Sequence, residues 1–416
     1  MEVKKKKALI VNQPSFSNVG GIETYLYNLI KFCIKSEIRV IWLSHPTPLV
    51  CESFEEVLLS NAVERVPVKS LNWHWFKFDS IPLKKDERYV IYSCTPQSMC
   101  EAQDIILRYP DYDIFPVYVI ANTTGSFYYL ERYFKTALFK RIVFSIMKKM
   151  IYRWELNNSI RFFAAPQAKA LGDNYGIEIH NVYENILRAV TELAMPDFSI
   201  TGKRYKQKNR FIILTVGRLC FPHKGYMLGL VRTFGKLQEK YQQLNLYIIG
   251  SGQNEDVLLD EIKKQPLPVQ KAIKLIGEVS PDKLASYYQQ SDLNISVAGA
   301  AARGAAAGTL TIIARNFCES NCEVYGFYDD CSNMIISTEK GNDVEPYIIR
   351  AIEMSDNEYM NRCIRGYEII KGKSNYNPSY LFDSTDNKIF HASKKEVLQM
   401  KVLKRLIKIN HYLRLL

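Results

Sequence analysis

Short apolar runs alternate along this chain with stretches whose apolar residues recur at three- and four-residue spacing. The run Phe211-Ile212-Ile213-Leu214-Thr215-Val216 has the length and β-branched content of a buried strand. It breaks at Gly217-Arg218 and passes through Leu219-Cys220-Phe221-Pro222-His223 to Lys224-Gly225. Met227, Leu230, Val231, Phe234 and Leu237 then mark one face of a helix. A second apolar run, 246–249, ends in Gly250-Ser251-Gly252. Strand, helix, strand is a βαβ unit, which requires parallel strands and a right-handed crossover.

The same pattern opens the chain. Residues 7–11 read as a short buried strand, followed by a loop from Asn12 to Gly21. Ile22, Leu26, Leu29, Ile30 and Cys33 form the next helical stripe, and 38–43 a second strand. Further strands are expected at 89–92, 117–120 and 161–164. Residues 201–210 are polar and basic with no apolar period, which suits a linker. Beyond the second βαβ unit, a strand at 272–276 is closed by Gly277-Glu278-Val279. Pro281 opens a helix with Leu284, Tyr287 and Tyr288, ended by Ser291-Asp292. A strand at 293–297, a loop of small residues at 298–302, Gly308 and a strand at 310–314 follow. The fold class is therefore α/β, with two doubly wound domains. The expected boundaries are 1–200, a linker at 201–210, 211–380, and a basic amphipathic C-terminal helix at 381–416.

Composition sharpens this picture only in part. With 416 residues, two cores are the default. The apolar fraction of 47% and charged fraction of 24% are those of a folded chain. No apolar run reaches the roughly 18 residues of a membrane span, and 8–11 is too short for a signal-peptide core. A cytoplasmic protein is expected. The nine cysteines are scattered, as reduced thiols are. Cys318, Cys322 and Cys331 lack the second pair or histidine that would complete a zinc set, so no metal is expected.

The net charge of +12 points to anionic partners, and no nucleic-acid-binding motif accompanies it. Nucleic acid is therefore not expected as a partner, whereas an anionic membrane surface is. A basic, aromatic-rich segment at 132–154 reads equally as an interfacial helix or as a solvated helix on a domain face, its cations being spread around the wheel. In the C-terminal helix, Lys401, Lys404, Arg405 and Lys408 share one face, with Val402, Leu403, Leu406, Ile409 and Leu413 opposite. This separation favours peripheral contact with the inner face of the cell membrane over simple docking on the body.

Ligands of parallel sheets bind beyond the carboxyl ends of the strands. Arg218 and Lys224 lie there with two glycine turns, an arrangement suited to a diphosphate. Gly20 and Gly21 leave backbone amides free at the start of a helix, where phosphate is favoured. Glu23 in the same first turn complements the helix dipole.

The order of these features resembles the retaining glycosyltransferases of the GT-B fold, specifically the large family 4 (glycosyl transferases group 1). The resemblance rests on Gly20-Gly21-Ile22-Glu23, Val216-Gly217-Arg218 with Lys224-Gly225, Ile248-Ile249-Gly250-Ser251-Gly252, Ile276-Gly277-Glu278-Val279, the helix ending in Ser291-Asp292, and Gly308-Thr309. It covers nearly the whole chain and lies in the order of the motifs more than in any one of them. It implies two Rossmann-like domains facing a cleft, a sugar nucleotide held by the C-terminal domain and an acceptor held by the N-terminal one. The reaction would retain anomeric configuration and use neither metal nor cofactor, the sugar nucleotide being a substrate. Arg218 and Lys224 would stabilise the departing nucleoside diphosphate. Gly20, Gly21, Gly250 and Gly252 would close on the donor, with Gly277 and Val279 bordering the base.

Two departures qualify the resemblance. The family's second donor-site glutamate, which holds the ribose hydroxyls, corresponds to Arg303, and 298–302 contain no acid. A guanidinium only donates hydrogen bonds, so either Arg303 is a third phosphate ligand or donor binding is lost. The histidine that many relatives carry after the strand at 117–120 is replaced by Ala121-Asn122-Thr123-Thr124-Gly125. Asn122 and Thr123 are the acceptor-side candidates, and His223 could assist Lys224. The expected activity is transfer of a sugar to a lipid-linked or cell-surface polysaccharide acceptor. The alternatives are a non-catalytic GT-B-like subunit that binds a glycan or a partner transferase, and, less well matched, a sugar nucleotide epimerase.

Overall fold

Apolar strands buried on both faces build two mainly parallel sheets, one in each of two compact units, Met1–Val190 with Tyr376–Leu416 and Thr191–Asn375. The computed structural model describes residues 5–17, 20–71, 74–77, 80–120, 136–187, 195–198, 210–318, 321–335, 337, 339–373, 382, 388 and 390–415.

In the first unit the strands are β1 (Lys6–Val11), β2 (Arg39–Ser44), β3 (Val63–Pro67), a small antiparallel pair β4 (Lys69–Leu71) and β5 (His74–Lys77), then β6 (Glu87–Ser93), β7 (Asp113–Ile120) and β8 (Ile160–Phe162). The main sheet has the order β3-β2-β1-β6-β7-β8 and is parallel throughout. Its helices are α1 (Gly21–Lys35), α2 (Glu52–Leu58), α3 (Pro96–Arg108), α4 (Ala137–Leu156) and α5 (Ala165–Tyr175). Leu26, Leu29, Ile30 and Cys33 of α1 are buried as their spacing requires. The strand expected at 161–164 is shorter and ends at Phe162, because Ala164 already stands at the N-cap of α5.

The second unit holds β9 (Phe211–Val216), β10 (Leu244–Ile249), β11 (Ile273–Gly277), β12 (Leu293–Ser296), β13 (Thr311–Ala314), β14 (Glu323–Phe327) and β15 (Asn342–Asp343). They form a sheet of order β11-β10-β9-β12-β13-β14-β15, in which β14 and β15 run antiparallel to their neighbours. The helices are α6 (Tyr226–Lys240), α7 (Glu255–Lys263), α8 (Leu267–Ala272), α9 (Pro281–Gln290), α10 (Ala298–Ala306), α11 (Tyr328–Cys331), α12 (Glu345–Glu353) and α13 (Asp356–Lys373). Met227, Leu230, Val231, Phe234 and Leu237 of α6 are all buried. At about 1.5–3 kcal/mol for each large side chain, this one stripe suffices to seat the helix on the sheet.

Residues 298–302, expected as a loop, instead form the first part of α10. Alanine is the best helix former, and Gly304 lets the helix lie on the sheet, since a Cβ there would stand 2.2 Å from Asn294 Nδ2.

The C-terminal helix, α14 (Lys394–Leu415), packs against α3 and α4 within the first unit. Its cations do not share one solvent face. Lys401 and Arg405 are exposed, whereas Lys404 turns in to Glu101 of α3 at 3.7 Å. Leu403 is buried while Val402 and Ile409 are exposed. Docking on the body rotates the helix away from the partition that spacing alone suggested. No described helix is long and apolar enough to cross a membrane.

Candidate functional site

Both sheets reverse strand order at one point, between β1 and β6 and between β9 and β12. Ligands of open α/β sheets bind at such reversals, beyond the carboxyl ends of the strands. The segment leading to α1 leaves the first point, and the loop 217–225 leaves the second.

In the second unit three successive loops are stitched together. Gly217 N donates to Ile249 O, Leu219 N to Ser251 O, and Gly250 N to Gly277 O, all at 2.8–3.0 Å. Gly250 has φ +143°, and a Cβ there would stand 2.0 Å from Gly217 O. Only glycine allows that backbone and that approach together. A Cβ on Gly252 would stand 2.3 Å from Leu219 O, so the two loops run in mutual contact. Asn254 Oδ1 accepts from Phe221 N at 2.7 Å and pins the far side of the loop, where the Phe221–Pro222 peptide is cis.

Lys224 is half-buried, and its Nζ donates to Asn316 Oδ1 at 3.3 Å. Burial pulls the ammonium down to about 7, with Arg218 adding to the effect and Cys220 opposing it. Arg218 itself is exposed. A second anchor ties the loop to residues 316–318, because Phe317 N donates to His223 O at 3.1 Å and the two rings pack 5.0 Å apart. Burial, Lys224 and Arg218 together hold the His223 imidazole down to about 4. It is neutral at physiological pH and adds no positive charge beside Lys224.

Below this loop runs a line of buried polar groups. Val216 N donates to Ser296 Oγ, Ser296 Oγ to Asn294 Oδ1, and Asn294 Nδ2 to Thr311 Oγ1. These bonds satisfy polar side chains inside a sheet that is otherwise apolar.

The structure thus joins Arg218, Lys224, Gly250, Gly252 and Gly277 in one set of loops. Val279 packs beside them in an apolar cluster with Leu214, Ile249, Leu284 and Tyr288. Arg303 lies on α10, across the strand reversal from Lys224. It is half-buried, its guanidinium lowered from the ordinary value by burial, with Tyr288 opposing the shift. Among the described residues no carboxylate pairs with it.

Gly20 and Gly21 stand at the N-cap and first position of α1, with open space where a Gly21 side chain would be, and Glu23 is in the first turn. Asn122 and Thr123 lie outside the described residues. Among the described residues no three His, Cys, Asp or Glu side chains converge as metal ligands. The pattern of the sequence did not disclose Asn316, Phe317 and Asn254. Their only signal was position just past the carboxyl ends of β13 and β10.

Residues 199–365 match the family model for glycosyl transferases group 1. No curated protein sequence matches the chain. Among solved structures, a sucrose-phosphate synthase from Thermosynechococcus elongatus is similar at 14% identity and TM-score 0.58, over 97% of this chain and 100% of that one. A mutant of S. aureus TarM in complex with fondaparinux, alpha-GlcNAc-glycerol and UDP is similar at 10% identity and TM-score 0.58, over 92% and 99%. WaaG, a glycosyltransferase involved in lipopolysaccharide biosynthesis, is similar at 14% identity and TM-score 0.54, over 91% and 99%. At these identities the likeness establishes fold. The chain therefore has the GT-B fold of glycosyltransferases over nearly its whole length, and the part of it that matches the model for glycosyl transferases group 1 lies in its second unit.

Proposed function

We propose that this protein is a retaining, metal-independent glycosyltransferase that moves a sugar from a nucleoside-diphosphate donor to a lipid-linked or cell-surface polysaccharide acceptor. The observation that carries the reading is Lys224, a half-buried ammonium beside Arg218 in a loop pinned by backbone bonds at a strand reversal. Such a cation is costly without an anion, and a diphosphate supplies one. Arg218 would grip the phosphates bidentately and Lys224 act as a point charge on the leaving group. Gly250, Gly252 and Gly277 would admit the donor, with its base against Val279. Gly20 and Gly21 would offer backbone amides from the first unit, and Asn122 and Thr123 would contact the acceptor.

The test is titration of UDP, GDP and ADP into the full chain by calorimetry in buffer containing EDTA. One of them should bind saturably, and Lys224→Ala should weaken it at least about tenfold, the loss of a charge-assisted contact. Absence of saturable binding for all three, or unchanged affinity in the variant, would refute the reading. Arg303 favours a second reading, a non-catalytic subunit of the same fold that binds a glycan or a partner transferase. In that case donor hydrolysis and transfer would both be absent from a chain whose nucleotide affinity is intact.

A further inference from the structure

We propose that Arg303 binds the phosphate nearest the nucleoside, leaving the outer phosphate to Arg218 and Lys224. The inference rests on the nucleotide reading above and divides the diphosphate between two loops of the second unit. Arg232, Arg315 and Arg362 are the other half-buried or buried arginines described in that unit. Each meets a carboxylate, Glu261 at 2.7 Å, Glu323 at 2.8 Å and Asp329 at 3.0 Å. Arg303 is half-buried too, yet among the described residues it makes neither a hydrogen bond nor an ion pair. A guanidinium keeps its charge at every pH a protein meets, so neutralisation cannot relieve its burial. An anion from outside the chain can.

The position of Arg303 indicates which anion. Helix α10 leaves the carboxyl end of β12, the strand beside β9 at the reversal. Helical side chains lean back over the preceding turn, toward the N-terminus of their helix. For Arg303 that turn holds Gly299 and Ala300. Gly299 is exposed, with open space where a side chain would be, which leaves room for a ligand. Ala300 O accepts from Tyr288 Oη at 3.0 Å, and Tyr288 is close enough to act electrostatically on Arg303. Tyr288 in turn packs in one cluster with Val279, the residue placed against the base. Arg303 therefore stands at the nucleoside end of the site. Lys224 lies in the loop that leaves β9 and is held toward Asn316, beyond β13. A nucleotide with its base at Val279 brings its inner phosphate to Arg303 and its outer one to Lys224. A guanidinium grips phosphate bidentately. A ribose hydroxyl in the same place would leave the charge uncompensated.

The experiment is calorimetry of the full chain with the 5′-monophosphate and 5′-diphosphate of uridine, guanosine and adenosine. For the base that binds, Arg303→Ala should weaken monophosphate and diphosphate alike, at least about tenfold. Lys224→Ala should weaken the diphosphate alone. Arg303→Lys should recover part of the loss, as a point charge without the bidentate grip. The urea midpoint of ligand-free Arg303→Ala should equal or exceed that of the parent chain, whereas loss of a structural arginine would lower it. Suppose Lys224→Ala weakens the diphosphate while Arg303→Ala weakens neither ligand, or the diphosphate alone. The assignment of Arg303 then falls and the nucleotide reading stands. A lowered midpoint, equal loss of the monophosphate in Lys224→Ala, or a parent chain that binds diphosphate without monophosphate would overturn it as well. Absence of binding by every nucleotide removes both readings.

Discussion

At the scale of single residues, Lys224 links burial to the proposed function. Its ammonium is held down to about 7 by burial, with Arg218 nearby. A bound diphosphate would restore the ordinary preference for the charged form, so binding takes up a proton whenever the free lysine is neutral. The bound-state value lies above the free one, and affinity is therefore favoured at low pH. Between pH 7 and 9 the dissociation constant should rise by up to about tenfold per unit, with buffer-dependent binding enthalpy at pH 8. A flat profile over that range would mean that Lys224 does not meet the ligand. The position of Lys224 in the loop after β9 was legible from the apolar strand that precedes it. That of Asn316, about ninety positions on, was not, because only the parallel sheet brings the ends of β9 and β13 together. His223 shows the converse. Its proximity to Lys224 suggested assistance, but burial, reinforced by that same proximity, keeps it neutral.

At the scale of elements, close approach of backbone to backbone sets the tolerances. α6 lies so near residues 321–322 that a Cβ on Gly229 would stand 2.2 Å from Cys322 N. A backbone atom cannot rotate aside, so the helix must shift and loosen the burial of its apolar stripe. Gly229→Ala should destabilise the chain by about 1–3 kcal/mol, even though alanine favours helix more than glycine does. Chemical denaturation of parent and variant checks this, and a neutral or stabilised variant would show that the contact yields freely. The bounds of β9 coincide with its apolar run, since a strand buried on both faces has no reason to alternate. β14 and β15 escaped notice because they are short, five and two residues, and β15 is exposed at the edge of the sheet. α10 was misread as loop in its first part because its alanine-rich sequence carries no apolar period.

At the scale of the whole molecule, the last helix of the chain returns to the first unit and brings buried charge with it. Glu396 is fully buried with Arg153 Nε 3.3 Å away, and burial holds its carboxyl up to about 7. Glu101, opposite Lys404, is raised to about 7 by the same cause. A carboxyl whose folded value exceeds its unfolded one binds more protons in the folded state. Its contribution is full below the unfolded value near 4.5 and is lost as pH rises through about 7. Glu396→Gln removes one of these titrations, so the fall in urea midpoint between pH 5 and pH 8 should be smaller than in the parent chain. An equal fall in both would place the pH dependence elsewhere. The alternation of strands and helices along the chain, the two α/β halves and the glycine-rich loop after β9 were determined by the sequence itself, because they depend on local periodicity and on residue types with few conformational uses. The partners of Lys224, the burial of Arg303 and the faces of α4 and α14 were decided only by tertiary structure. Each depends on which distant segments pack together, and a helix shows solvent only the side its neighbours leave uncovered.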